Sequence, residues 1–183
     1  MMNTQPELTV LVSRRRIAAI VKRLAEEIRR DYEGLNPLVV GILKGSFVFL
    51  ADLVRAVDMP LQVDFVKLTS YGSGTQSSGR ITVLLDLNCQ LEGRHVLVVE
   101  DIVDSGLTAS FLCDYLRQKG PASVKLCSFT SKPSRRVVDI KIDYLGLEVP
   151  DKFLVGYGLD CAEKYRYLPD LCELKEDNTC LPS

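Results

Sequence analysis

Two stretches of this chain, LVVGIL at 38–43 and VLVV at 96–99, carry no polar side chain at all. A strand with one wet face alternates apolar and polar residues, because neighbouring side chains point to opposite faces. Strands without polar positions have to be covered on both faces, which is the condition of a parallel sheet between helices. The segments around them meet that requirement. SRRRIAAIVKRLAEEIRRDYEG sets Ile17, Ile20, Val21, Leu24 and Ile28 at three- and four-residue spacing, the period of an amphipathic helix, with Ser13 to cap it and Gly34 to end it. SFVFLADLVRAV and LTASFLCDYLRQKG read as two more helices, the second closed by Gly120-Pro121. LQVDFVKLTS, ITVLLDL and ASVKLCSFTS read as further strands, with shorter ones at YLGLEV and KFLVGYGLD. The expected class is α/β, a central and mostly parallel sheet flanked by helices.

The chain has 183 residues, 46% of them hydrophobic, enough for a sizeable core and a single domain over 1–183. A formal net charge of −1 argues against a coat for nucleic acid. No apolar run is long enough to span a bilayer, and the start, MMNTQPELTV, lacks the charged and apolar regions of a secretory signal. The six cysteines (Cys89, Cys113, Cys127, Cys161, Cys172 and Cys180) show no CxxC pair, and the one histidine, His95, is not near a cysteine cluster. That pattern disfavours zinc and suits reduced thiols in a cytoplasmic protein.

In parallel sheets flanked by helices, ligands bind outside the carboxyl ends of the strands. Polar clusters stand at three such ends: Leu43-Lys44-Gly45, Glu100 to Thr108, and Ser131-Lys132. Between Tyr71 and Arg80, YGSGTQSSGR has almost nothing to bury and reads either as a solvated linker or as a mobile lid over a site.

VLVVEDIVDSGLTAS, 96–110, carries most of the chemistry. Four apolar residues break into Glu100 and Asp101, then Asp104, Ser105, Gly106 and Thr108 lead into a helix. A solvated turn with a helix cap at Asp104 or Ser105 would account for one acid. Three carboxylates at a strand end repel one another, and a divalent cation or a polyhydroxyl ligand would offset that repulsion. The helix start has the opposite preference, since its unpaired amides and positive dipole end favour an anion. One face of the loop therefore suits a phosphate and the adjoining face suits hydroxyls or a metal, the two groups that a sugar phosphate presents.

That stretch closely resembles the phosphoribosyl pyrophosphate signature of the type I phosphoribosyltransferases: an apolar run, two acids, two apolar residues, then Asp-Ser/Thr-Gly-x-Thr. The resemblance extends from Val12 to Leu174 and narrows to the hypoxanthine-guanine phosphoribosyltransferases. GILKGSFVFLADL is similar to their pyrophosphate turn, VDFVKLTSYGSGTQSSG to their strand and lid, SKPSRR to their base-binding segment, and PDKFLVGYGLDCAEKYRYLPDLCEL to their purine hood, here mainly 150–183. The resemblance implies the type I fold with a small C-terminal hood and a mobile lid. It also implies magnesium-dependent transfer of the 5-phosphoribosyl group to a 6-oxopurine in purine salvage, giving IMP or GMP and pyrophosphate, by a dimer or tetramer. By the same resemblance Glu100 and Asp101 hold the ribose hydroxyls directly or through magnesium, and Asp104 lies by purine N7 as general acid/base. Ser105, Gly106, Leu107 and Thr108 hold the 5′-phosphate. Lys44 and Gly45 face the pyrophosphate, which Arg166 reaches from the hood, and Ser70 and Tyr71 are the lid's Ser-Tyr pair. Lys132 donates to the purine O6, Phe153 stacks on the base, the backbone of Leu154 reads its edge, and Asp160 ligates a second magnesium. A cis peptide is implied at Leu43–Lys44.

Taken alone, Lys132 reads as a surface lysine, Phe153 as core and Arg166 as a solvated charge; their order and spacing together reverse those readings. Two positions depart from the family pattern. Leu107 stands where some members carry Lys, so backbone amides take a larger share of the phosphate. Cys161-Ala162 replaces a more polar hood segment, which leaves the choice among hypoxanthine, guanine and xanthine open. Two rivals stay in view. A regulatory protein that keeps the donor loop but binds RNA or DNA needs a basic face, and Arg14 to Arg16 share their helix with several glutamates. A pyrimidine-directed transferase would not share the purine-type hood.

Overall fold

The structure, a computed structural model, describes residues 7–71 and 80–175. The expected lid lies outside them except for its two ends, as do the side chains of Ser70 and Tyr71, the first six residues and the last eight. The order along the chain is β1 (Leu8–Val12), α1 (Arg14–Tyr32), β2 (Leu38–Leu43), α2 (Phe47–Val57), β3 (Gln62–Tyr71), β4 (Arg80–Leu85), β5 (His95–Val103), α3 (Leu107–Arg117), β6 (Ser123–Ser131), β7 (Tyr144–Glu148), β8 (Leu154–Val155) and β9 (Leu171–Leu174). A single 3₁₀ turn, Pro133–Arg135, follows β6.

Six strands form the main sheet in the order β4-β3-β2-β5-β6-β7. All pairings are parallel except β3 with β4, which is antiparallel. β4 returns antiparallel to β3 and forms an edge of the sheet, with Leu84 and Leu85 exposed. The strand alternation distributes the core onto two faces. Val39, Leu97, Val99, Cys127 and Phe129 pack against α1 and α2. Leu38, Val40, Ile42, Val96, Val98 and Leu126 pack with α3 on the other face. The two all-apolar stretches are thus the central strands β2 and β5, as a doubly covered sheet requires.

Helix α1 buries Ile17, Ile20, Val21, Leu24 and Ile28, the stripe read from the sequence, and Ser13 caps it through Arg16 N. A second sheet, β1-β9-β8, was not legible in advance. It is antiparallel throughout and joins the chain start to the hood. Among the cysteines, Cys89, Cys113, Cys127 and Cys172 are free. Cys161 is disulfide-bonded, so the expectation of reduced thiols fails at that position.

Phe129 on β6 meets Phe49 of α2 at a ring distance of 5.4 Å and Tyr157 of the hood at 5.0 Å. It is fully buried and so joins the sheet, one helix layer and the hood. Phe→Ala at such a site typically costs about 3–5 kcal/mol. Phe129→Ala is expected to lower unfolding stability by that amount in urea denaturation, and Phe129→Leu by clearly less; equal losses would mean that filled volume recovers nothing and that the stabilisation lies in the ring contacts alone.

Candidate active site

The carboxyl ends of β2, β5 and β6 open on the same side of the sheet, because the three run parallel. The structure brings the clusters at those ends together. At the end of β2 the Leu43–Lys44 peptide is cis, as the resemblance implied. Gly45 then lies so close to Asp101 of β5 that a Cβ would overlap its carboxylate, and a Cβ on Gly158 of the hood would overlap the carbonyl of Gly45. β2, β5 and the hood therefore meet at a point where only bare backbone fits.

Glu100 and Asp101 do not turn to one side. Asp101 faces Gly45, whereas Glu100 feels the charges of Asp101 and Arg136 and lies near Cys113 of α3. Glu100 is buried, and its Oε2 has no hydrogen-bond partner. Burial, with the neighbouring Asp101 charge adding to it and Arg136 opposing, pushes the Glu100 carboxyl well above its ordinary range. Burial also raises Asp101 to about 6, against the pull of backbone amides and Arg166 and with some push from Asp160. Both acids are thus held in surroundings that penalise their charge in the absence of a cation.

Helix α3 starts at Gly106, whose φ of 86° is left-handed and suits glycine, and no side chain caps it. Ser105 Oγ approaches Leu107 N at 3.4 Å. Asp104 does not cap: its Oδ1 is buried and accepts no hydrogen bond. The capping explanation of Asp104 is therefore removed. Leu107 and Thr108 occupy the first turn, where dipole and amides favour an anion.

Lys132 follows β6 and is buried, with Nζ 3.8 Å from Asp151 Oδ1. Phe153 is 46% exposed just before β8, so it is not core. Its carbonyl accepts from Leu174 N, which fixes the backbone that leads into the buried Leu154. In the hood, Arg166 bridges Asp160 at 2.7 Å and Glu163 at 3.3 Å and donates to Gly158 O. Lys44 Nζ reaches Glu163 at 2.6 Å. Both expected pyrophosphate-facing cations therefore share the carboxylate of Glu163, whose acidity they increase. Glu163, Arg135 and Asp151 were not singled out from the sequence. The available signals were spacing: Glu163 lies three residues from both Asp160 and Arg166, and Arg135 belongs to the SKPSRR segment.

Comparison with known proteins places this geometry among relatives. Residues 9–162 match the family model described as "Phosphoribosyl transferase domain". The chain is 46% identical over 166 residues to the hypoxanthine-guanine phosphoribosyltransferase of Bacillus subtilis, covering 91% of this chain and 92% of that protein. It is 48% identical to the bifunctional protein TilS/HprT of Listeria monocytogenes over 92% of its own length, but spans only 26% of that larger protein. The crystal structure of a hypoxanthine phosphoribosyltransferase from Staphylococcus aureus superposes with a TM-score of 0.89 at 37% identity, covering 96% of this chain and 97% of the other.

The raised Asp101 pKa has a consequence for stability. The native state holds the proton up to about pH 6 while the unfolded chain releases it near 3.8. Between those values the native state binds more protons, so this contribution is complete below the lower value and is lost as pH rises through the upper one. Without divalent cation, Asp101→Asn is expected to gain stability relative to wild type above pH 6, on the order of 2–3 kcal/mol, with the gain fading towards pH 4. Thermal melts across that range test it; a difference independent of pH would contradict it.

Proposed function

The chain belongs to the phosphoribosyltransferase family, and from that membership we propose that it is a purine-salvage enzyme, one phosphoribosyltransferase domain over 1–183. It transfers the 5-phosphoribosyl group of phosphoribosyl pyrophosphate to hypoxanthine and guanine, giving IMP or GMP and pyrophosphate. The observation that carries this reading is the end of β5: a buried Glu100 with an unpartnered oxygen and the half-buried Asp101 directly precede the uncapped start of α3. A sugar bearing hydroxyls and a 5′-phosphate matches those two halves. Lys132 and the exposed ring of Phe153 add what a planar oxo-base needs.

In the transfer step the bond from C1′ to the pyrophosphate oxygen breaks and a bond from C1′ to the purine nitrogen forms. Positive charge grows on the sugar and negative charge on the leaving group. Lys44 and Arg166 would balance the latter once pyrophosphate displaces their shared partner Glu163. Loop residues 105–108 would hold the 5′-phosphate, and Asp104 would take or hold the N7 proton. Ser70 and Tyr71, at the end of β3, belong to the same proposal as substrate-binding residues.

Magnesium fits the donor set. Among the described residues no three His, Cys, Asp or Glu side chains converge on a metal site. Magnesium is commonly held by one or two carboxylates together with substrate phosphates, and the orphaned Glu100 oxygen, Asp101 and Asp160 suit that mode. When bound, the ion would neutralise pyrophosphate charge and orient the donor. A dimer or tetramer belongs to the same proposal. Exposed Phe47 and Tyr167 line an apolar groove of about 590 Å³ beside the hood, a surface suited to a second copy. Small molecules rather than nucleic acid are the proposed substrates, and the cytoplasm the proposed location. No helix among the described residues is long and apolar enough to cross a membrane.

The test is a product assay with hypoxanthine, guanine, xanthine and adenine in parallel. Nucleotide is expected from the first two and negligible product from adenine, because an ammonium only donates and meets O6 but not an amino group. Lys132→Gln is expected to reduce the hypoxanthine-to-adenine ratio of kcat/KM at least about tenfold. An unchanged ratio would remove Lys132 from base recognition.

A further inference from the structure

Four charged side chains form an alternating line across the site: Asp104, Arg135, Asp151 and Lys132. Arg135 Nε lies 3.0 Å from Asp104 Oδ1. Arg135 Nη1 donates to Asp151 Oδ1 at 3.3 Å, and the same oxygen is 3.8 Å from Lys132 Nζ. Neither Arg135 nor Asp151 has a role in the reaction described so far. We propose that Arg135 is a positioning residue of the phosphoribosyl transfer: it holds Asp104 by one carboxylate oxygen and braces it, through Asp151, against Lys132.

The backbone fixes Arg135 independently of its ion pairs. It closes the 3₁₀ turn by donating to Lys132 O, and two residues later Val137 N and Val138 N both donate to Ser105 O. Ser105 directly follows Asp104, so the segment after β6 is stitched to the loop that carries the acid. Arg136 reinforces the join by donating to Ser131 Oγ, with its stem against the space a Gly106 side chain would need.

The contact itself has an informative geometry. Oδ1 is at ion-pair distance from Arg135 yet accepts no hydrogen bond. The guanidinium therefore covers that oxygen and supplies charge without a directed bond. The Asp104 side chain is nevertheless 43% exposed, so its exposure falls on atoms other than Oδ1. O6 and N7 lie on one edge of a 6-oxopurine. An ammonium serving O6 and a carboxylate serving N7 have to keep a set separation, and the Arg135–Asp151 pair links the two groups from behind.

Arg135 and Asp151 are each about half exposed, and exposed ion pairs contribute little to stability. A positioning role therefore predicts a kinetic effect with almost no change in melting. The proposal rests on the transfer reading. The experiment measures kcat and KM for hypoxanthine, donor dissociation constant and Tm for wild type, Arg135→Met, Arg135→Lys, Asp104→Asn and the Arg135→Met/Asp104→Asn double variant.

Arg135→Met is expected to lower kcat/KM for hypoxanthine about tenfold, less than the hundredfold that a 1 Å misplacement can cost. The loss should lie mainly in kcat, with donor binding and Tm unchanged and partial recovery in Arg135→Lys. Asp104→Asn should lower turnover by about 10²–10⁴-fold. In that background Arg135→Met should cost nothing further, because the carboxylate it holds is gone. Activity of Arg135→Met within twofold of wild type, or losses that multiply in the double variant, would overturn the proposal while leaving the transfer reading intact. A wild-type protein that forms no nucleotide would overturn both.

Discussion

Desolvation of two neighbouring carboxylates at the end of β5, Glu100 buried and Asp101 half-buried, is the constraint on which the rest of the site depends. A parallel strand covered on both faces delivers Glu100 into its dry interior, and Asp101 follows at the half-buried edge of the site. Desolvation penalises their charge, and their proximity adds to the penalty. Protein groups relieve it only in part: Arg136 acts on Glu100, and backbone amides and Arg166 act on Asp101. The unrelieved remainder is what a cation-bearing polyhydroxyl donor would satisfy. The cost of maintaining it falls on the surrounding core, which packs α1 and α2 on one face of the sheet and α3 on the other.

The hood depends on the same point. Asp101 needs bare backbone at Gly45, and the carbonyl of Gly45 needs bare backbone at Gly158. That succession sets the hood turn against the end of β2 and places Glu163, which Arg166 ties to Asp160, within reach of Lys44. The hood's own stability comes from elsewhere: β8 pairs with β9, and β9 with β1. Two segments far apart in sequence are thereby joined, and Arg14 N at the start of α1 donates to Asp170. The hood is thus anchored to the first helix as well as to the turn it covers.

Most of the main sheet was legible because its elements obey strong local rules. The stripe of α1 and the unbroken apolar runs of β2 and β5 leave little choice of period or burial. The hood sheet was not legible, since β8 has two residues and β1 and β9 pair across nearly the whole chain; periodicity carries no information about such pairings. In the site, the motif gave the positions of Glu100, Asp101 and Asp104, and strand alternation already set the first two on opposite sides. That Asp104 leaves α3 uncapped was not legible, since it depends on the Gly106 conformation and on contacts from the segment after β6. Arg135 escaped notice for a related reason. Its meaning lies in its pairing with Asp104, which is distant in sequence and is brought close by the bonds from Val137 and Val138 to Ser105.

If the proposed function holds, the donor and its cation would relieve the desolvation that raises both acids, and Asp101, held up to about 6, would lose its proton on binding. Calorimetry of magnesium–phosphoribosyl pyrophosphate binding, repeated in buffers of different ionisation enthalpy, counts the protons released. The Glu100→Gln/Asp101→Asn double variant serves as the reference for protons released by the donor itself. Wild type is expected to release more protons than that variant at pH 6, with the excess shrinking as pH rises, because Asp101 titrates near 6. Equal proton release by the two proteins at every pH, with wild type binding the donor normally, would contradict it.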